Sequence, residues 1–241
     1  MGDVREGAGV GRARALLPFL PYALASVVHC VLIVFDLPGK GFETKQLLMP
    51  ALALAVVWAT WRERPWPRCA MVLVLIALLA SWIGDGAGLF FPSLPALPMM
   101  ILFFAIAHLA YIALFWRAPG IDGVRRVPGW SFVYAIWWVA TLIVVGPHAG
   151  ALLVPLAVYG VVLGLTAALS PRFGRGVAVG GAFFLVSDTC IALKEFVGLP
   201  VWLGDLMIMP TYTLGQGLIV YGTLALLRRQ SGDFSRDQRV F

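Results

Sequence analysis

The sequence is poor in the residues that build disulfides and metal sites. Its three cysteines, Cys30, Cys69 and Cys190, are too far apart for a CxxC motif and are best explained as small apolar packing residues. Its three histidines form no HxxxH or HExxH pair, which excludes the helical motif of zinc hydrolases. We therefore predict neither a metal nor another cofactor.

Charge is also scarce. Only 12% of the 241 residues are charged, whereas 61% are hydrophobic and the mean hydropathy is +0.90. Soluble domains contain roughly 45–50% apolar residues, so the chain is predicted to be an integral, multi-pass membrane protein. The net charge of +6 follows from basic loops and indicates no nucleic-acid partner.

Long apolar runs predict a bundle of about eight transmembrane helices. Runs of about 20 residues without period-2 alternation indicate helices rather than barrel strands. We expect an all-α, single transmembrane helical domain over residues 1–241, with polar cytoplasmic tails at 1–13 and 229–241. The predicted spans are 15–35, 42–61, 67–91, 94–116, 128–145, 149–169, 174–195 and 201–227.

The basic residues predict the orientation of this bundle. If both termini are cytoplasmic, 15 of the 18 Lys and Arg residues lie on the inner side, and only Lys40, Lys45 and Lys194 lie outside. This distribution follows the positive-inside rule. In a bacterium, the protein would lie in the inner membrane.

Three ionisable residues are predicted to lie at one depth. His29, Asp85 and Asp188 each lie seven residues before the outer end of a helix that runs outward. A rise of 1.5 Å per residue places each about 10 Å below that end. An aspartate inside a membrane is costly and usually functional, although a buried hydrogen bond that only joins helices is the alternative.

Further polar residues could line a pocket in the same layer. Each has a simpler explanation, such as a snorkelling lysine or a histidine that hydrogen-bonds between helices. Tyr212 and Gln216 are one turn apart on one face of the last helix. The candidates are Lys45, Tyr212, Gln216, His29, His108 and Tyr111.

The segments around the two aspartates suggest an internal repeat. "LLASWIGDGAGLFF" and "GAFFLVSDTCIALKEF" each place a small residue before Asp on the third helix of a four-helix half. A division between Arg125 and Val127 gives halves of the same orientation, as in a 4+4 parallel repeat. Such a repeat predicts two equivalent carboxylates that face one axis.

Five segments in order resemble the YhhN family of lysoplasmalogenases. They are "TKQLLMP", "SWIGDGAGLF", "FAIAHLAYIALF", "GAFFLVSDTCIALKEF" and "YTLGQGLIVYG". The resemblance implies an eight-helix membrane hydrolase whose lysophospholipid substrate is a lysoplasmalogen. Such an enzyme cleaves the vinyl ether bond and releases a fatty aldehyde and glycerophosphoethanolamine or glycerophosphocholine.

This chemistry suits two buried carboxyl groups. A vinyl ether hydrolyses through protonation of its alkenyl carbon, capture of the resulting oxocarbenium ion by water, and collapse of a hemiacetal. One carboxyl stays protonated as the acid, and the other stays ionised, stabilises the cation and activates water. Asp85 and Asp188 are the predicted catalytic residues, with either one as the acid. Lys45 would hold the lipid phosphate, while Tyr212 and Gln216 orient water or glycerol hydroxyls.

The same residues are also compatible with two other functions. Paired membrane aspartates and a repeat also suit a proton-coupled transporter of a small or lipid-like solute. A metal-dependent membrane lipid hydrolase would use His29, Asp85, His108 and Asp188 as ligands.

Overall fold

The computed structural model describes residues 15–35, 40–61, 68–117, 121 and 124–237. Within these ranges the chain is helical and contains no β-strand, which confirms the all-α class. The eight long helices are α1 (Leu20–Val34), α2 (Lys40–Thr60), α3 (Arg68–Asp85), α4 (Ala96–Arg117), α5 (Val133–Val145), α6 (Leu153–Leu169), α7 (Arg175–Ala192) and α8 (Val201–Asp237).

Apolar surface identifies the bundle as a multi-pass membrane protein. Large side chains such as Leu24, Ile143 and Val154 are about 70% exposed, as residues that face lipid are. In the described part of the chain, five segments are long and apolar enough to cross a membrane: Leu17–Val34, Ala96–Arg117, Gly129–His148, Gly150–Phe173 and Arg175–Val197. Cys69–Asp85 is a shorter apolar helix. The remaining crossings of the eight stay a prediction.

The helix boundaries have local causes. Gly174 begins α7 with φ 109°, and Gly198 has φ 84° after a π-helical turn, Leu193–Val197, that extends α7. These left-handed conformations favour glycine because a Cβ would clash there. Pro50 lies inside α2 and cannot donate to Gln46 O, which instead accepts a 3.0 Å hydrogen bond from Trp82 Nε1 of α3. This bond joins α2 to α3 near the predicted outer ends of both helices.

The packing agrees with two four-helix halves. Within each half, each helix packs against its neighbour in sequence, and the most extensive contacts are those of α3 with α4 and of α7 with α8. The halves meet where α4 contacts α6 and where α8 contacts α1 and α2. A Cβ on Gly180 of α7 would lie 2.9 Å from Gly215 O of α8, so these backbones approach as closely as glycine allows.

Arg172, between α6 and α7, joins the two halves at the C-terminal end of α4. Its Nη1 donates to the carbonyls of Phe115 and Trp116 at 2.5 and 2.7 Å, and its Nε donates to Arg125 O at 3.2 Å. The guanidinium thereby satisfies carbonyls that the end of α4 leaves without helical partners.

The two predicted polar tails are only partly described. Residues 1–13 lie outside the described residues, and α8 continues as a helix to Asp237. The single-domain assignment remains a prediction.

Candidate active site

Asp85 lies at the centre of the first polar cluster. Lys45 Nζ of α2 is 3.0 Å from Asp85 Oδ1, and the Tyr212 hydroxyl of α8 donates to Asp85 Oδ2 at 2.7 Å. The aspartate side chain is only 3% exposed and that of Lys45 is 25% exposed. Each carboxylate oxygen has a donor, and the ammonium compensates the charge, as a buried carboxylate requires.

Glycines beside Asp85 allow aromatic rings to close over this cluster. A Cβ on Gly84 would lie 3.0 Å from the ring of Phe104, and one on Gly86 would lie 2.5 Å from the ring of Phe90. The "GDG" motif therefore serves close packing around a buried carboxylate.

A second set of polar side chains lies one turn deeper. Tyr111 of α4 donates to Gln216 Oε1 at 2.6 Å, and Gln216 Nε2 donates to Ser81 Oγ at 3.0 Å. All three are fully buried. Gln216 follows Tyr212 by one turn and Ser81 precedes Asp85 by one turn, so this set continues the Asp85 cluster inward. Ser81 was missed from the sequence because a serine in an apolar helix is common.

His29 lies beside Lys45 and does not contact either aspartate in the described structure. Its Nδ1 is 2.9 Å from the hydroxyl oxygen of Thr44, the neighbour of Lys45 in α2. The ring is 1% exposed, and its Nε2 has no hydrogen-bond partner in the described part of the chain.

Asp188 of α7 forms a second cluster with different partners. The Tyr159 hydroxyl of α6 donates a short hydrogen bond to Asp188 Oδ2. His108 Nε2 of α4 lies 3.6 Å from the same oxygen, too far for a direct hydrogen bond. The side chain of Asp188 is 6% exposed and His108 is fully buried.

The two clusters occupy equivalent positions in the two four-helix halves. Each aspartate lies on the third helix of its half. Each takes one partner from the second helix of its own half and one from the fourth helix of the other half. Tyr159, which the sequence analysis missed, is the seventh residue of α6, whereas Lys45 is the sixth of α2. A comparison of the two halves by helix position is the signal that could have found it.

Aromatic rings lie between the two clusters. Phe184 contacts one partner of each carboxylate, and its ring centroid lies 5.5 Å from that of Tyr212 and 4.6 Å from that of His108. In the described chain Asp85 and Asp188 share no hydrogen bond, although each lies within electrostatic range of the other. The two carboxylates therefore form two neighbouring centres.

The cavities beside Asp188 are large enough for water molecules. Two cavities of about 30 Å³ each border both Asp188 and Tyr159. One lies toward Phe104 and Phe196, and the other lies toward Trp138. A water molecule needs about 10–15 Å³ of such volume and several polar partners.

A larger apolar groove of about 650 Å³ runs between α1 and α8. Tyr22, on its wall, donates to Thr213 O at 2.7 Å, beside Tyr212.

The four ligands of the metal hypothesis do not converge. His29 lies beside Lys45, and His108 lies beside Asp188. Across the described ranges, no group of three or more His, Cys, Asp or Glu side chains could hold a metal ion.

Comparisons with known proteins identify a family. The YhhN family matches residues 42–223, a stretch that begins in α2, ends in α8 and contains both carboxylate clusters. Searches of curated proteins and of solved structures give no match. Since the matched stretch covers most of the 241 residues, the chain belongs to the YhhN family.

Proposed function

We propose that this protein is a membrane hydrolase that cleaves the vinyl ether bond of lysoplasmalogens. The products are a fatty aldehyde and glycerophosphoethanolamine or glycerophosphocholine. The proposal rests on two buried carboxyl groups in a member of the YhhN family, of which Asp85 is held by donors from two other helices and Asp188 by the hydroxyl of Tyr159. Buried carboxyl groups in different surroundings are the usual means of pairing an acid with a base.

The reaction consumes one water. An acid protonates the alkenyl carbon that is not bonded to oxygen, and the ether becomes an oxocarbenium ion. Water adds to the other alkenyl carbon and gives up a proton, which yields a hemiacetal. The hemiacetal C–O bond to glycerol then breaks, the glycerol oxygen takes a proton, and the aldehyde leaves. Asp85 and Asp188 are the groups that exchange protons with the substrate and water or balance the cation.

The surrounding residues have binding roles in this proposal. Lys45 is a quarter exposed and binds Asp85 through one contact, so its other N–H groups can bind the lipid phosphate. Tyr212, which is bound to Asp85, and Gln216, one turn further along α8, orient water or glycerol hydroxyls. Tyr111 holds Gln216 in place.

Product analysis tests the reaction. Purified protein is incubated with lysoplasmalogen and, separately, with the ordinary lysophospholipid of the same headgroup. Aldehyde from the first and no fatty acid from the second supports vinyl ether hydrolysis. Fatty acid from the second would instead identify an esterase.

Matched variants test the site. Asp85→Asn and Asp188→Asn should each lower aldehyde release by roughly 10²-fold or more, as expected for loss of an acid or base. Asp205→Asn is the control, since that residue is paired with Lys194 and is 40% exposed. If both site variants are folded and as active as wild type, the two aspartates have no catalytic role.

Transport is the second candidate, because buried carboxylates on equivalent helices of a 4+4 repeat also suit proton coupling. Solute flux into proteoliposomes without any product would favour it. A metal-dependent hydrolase would lose activity in EDTA and regain it when metal is added back.

A further inference from the structure

The contacts of His108 indicate which ring nitrogen carries hydrogen. Its Nδ1 is 3.2 Å from Thr166 Oγ1, and the Thr166 hydroxyl can donate to two backbone carbonyls, Val162 O at 2.9 Å and His108 O at 3.4 Å. With its hydrogen on a carbonyl, Oγ1 accepts from His108, and we therefore assign the ring hydrogen to Nδ1. In a neutral ring, Nε2 is then a bare acceptor.

That bare acceptor faces another acceptor. Nε2 lies 3.6 Å from Asp188 Oδ2 and has no hydrogen-bond partner in the described residues. A lone pair and an ionised oxygen at this distance repel each other in a buried site. A proton on the aspartate, on Nε2 itself or on a water between the two groups removes the repulsion, and we assign it to the aspartate.

Asp85 has no such need for a proton. Its Oδ1 contacts the Lys45 ammonium, and its Oδ2 accepts from Tyr212. Both oxygens are satisfied in the ionised state, and the charge is balanced by a cation.

We propose that Asp188 is the carboxyl group that gives and recovers the catalytic proton, that Tyr159 and His108 are its positioning residues, and that Asp85 remains an ionised counter-charge. This assignment rests on the proposed hydrolase function. It also assigns a role to Tyr159, whose hydroxyl donates to Oδ2 and so holds the carboxyl group of Asp188 in place.

One carboxyl group can serve each proton transfer in turn. Asp188 donates its proton to the alkenyl carbon as the C=C electrons form the C–H bond. The resulting carboxylate accepts a proton from the water that attacks the oxocarbenium ion. It then delivers this proton to the glycerol oxygen as the C–O bond breaks and recovers the hemiacetal hydroxyl proton. The two water-sized cavities at Asp188 supply the place from which that water can attack.

Few other titratable groups surround Asp188. The helices packed on α7 present Tyr159 from α6 and His108 from α4, while α5 contributes Trp137, which donates to Thr189. Three further groups are already paired: Asp85 of α3, within electrostatic range, contacts Lys45; Tyr212 of α8 is bound to Asp85; and Lys194 in the π-helical turn is bound to Asp205.

The matched variants Tyr159→Phe and Tyr212→Phe test the assignment, because each removes one hydroxyl from one carboxylate. We expect Tyr159→Phe to lower kcat about tenfold or more, to shift the pH profile of kcat, and to change KM little. Tyr212→Phe should leave the pH profile of kcat in place. A shifted profile for Tyr212→Phe with an unchanged one for Tyr159→Phe would overturn the proposal.

Infrared spectroscopy tests the proton without substrate. A protonated carboxyl group has a carbonyl stretch that shifts in D₂O. We expect this band in the wild type and in Asp85→Asn, and we expect its loss in Asp188→Asn. In Tyr159→Phe the band should remain at a changed frequency. This variant replaces Asp188→Asn in the test if Asp188→Asn does not fold. Absence from the wild type, or loss only in Asp85→Asn, would overturn the assignment.

The two tests separate the two proposals. If the protein releases no aldehyde but shows the infrared pattern, the hydrolase function fails and the proton assignment stands. If aldehyde is released but the infrared pattern is reversed, the function stands and the assignment fails.

Discussion

Replacement of Lys45 by methionine should destabilise the bundle by about 3 kcal/mol. Lys45→Met keeps an unbranched chain of similar shape but leaves Asp85, which is 3% exposed, without its cation. Removal of one partner of a buried ion pair costs about 3–5 kcal/mol. We expect the lower end of this range, because Lys45 is a quarter exposed and Asp85 can take up a proton.

The double variant Lys45→Met/Asp85→Asn should recover most of this loss. It leaves no unpaired charge, and the asparagine carbonyl still accepts from Tyr212. A double-mutant cycle then isolates the pair from the separate effects of each change. Lys194→Met is the matched control: its pair with Asp205 has a similar distance of 2.9 Å, but the side chains are 28% and 40% exposed. Exposed pairs contribute at most about 1 kcal/mol.

Thermal unfolding in detergent, followed by the fluorescence of the nine tryptophans, measures the effect. A loss of about 3 kcal/mol corresponds to a decrease in Tm of roughly 6–12 °C for a chain of this size. The ion-pair argument is refuted if Lys45→Met unfolds at the same temperature as Lys194→Met. It is also refuted if Asp85→Asn fails to improve on Lys45→Met alone.

Three further changes test the packing and the orientation. Gly180→Ala should cost about 1–3 kcal/mol because its Cβ would meet backbone atoms of α8, whereas Gly176→Ala, in open space, should cost nothing; thermal unfolding compares them. Arg172→Ala should cost about 2 kcal/mol and expose the linker after α4 to trypsin, unlike Arg175→Ala on the exposed start of α7. With the other cysteines replaced, exposed Cys69 should react with an impermeant maleimide only in opened cells; labelling of intact cells contradicts cytoplasmic termini.

The sequence predicts the helices well, because they depend on position along the chain, whereas the depth of the site in the membrane stays a prediction. Apolar runs and Gly or Pro boundaries predict eight helices that overlap α1 to α8, although α8 continues to Asp237, ten residues beyond its predicted end. The fixed rise per residue places Asp85 and Asp188 in one layer, and the helical period places Tyr212 and Gln216 on one face.

The lateral arrangement is harder to predict. Hydropathy gives no information on which helices are neighbours, so it could not assign His108 to Asp188 rather than to Asp85. Tyr159 has no distinctive context in its apolar helix, and its importance depends on the approach of α6 to α7. The aromatic separation of the two aspartates is a property of side chains from α4, α7 and α8 together.

Equivalent positions in two four-helix halves can hold carboxyl groups in different states. Equivalent helices bring two side chains to each aspartate, but these side chains differ. Asp85 has an ammonium and a phenol as partners, whereas Asp188 has a phenol and an imidazole. A cation balances a carboxylate and removes its need for a proton, whereas a phenol donates one hydrogen bond and leaves the negative charge unbalanced. Under the proposed assignment, the ammonium of Lys45 therefore makes Asp85 the fixed charge, and Asp188 carries the transferable proton.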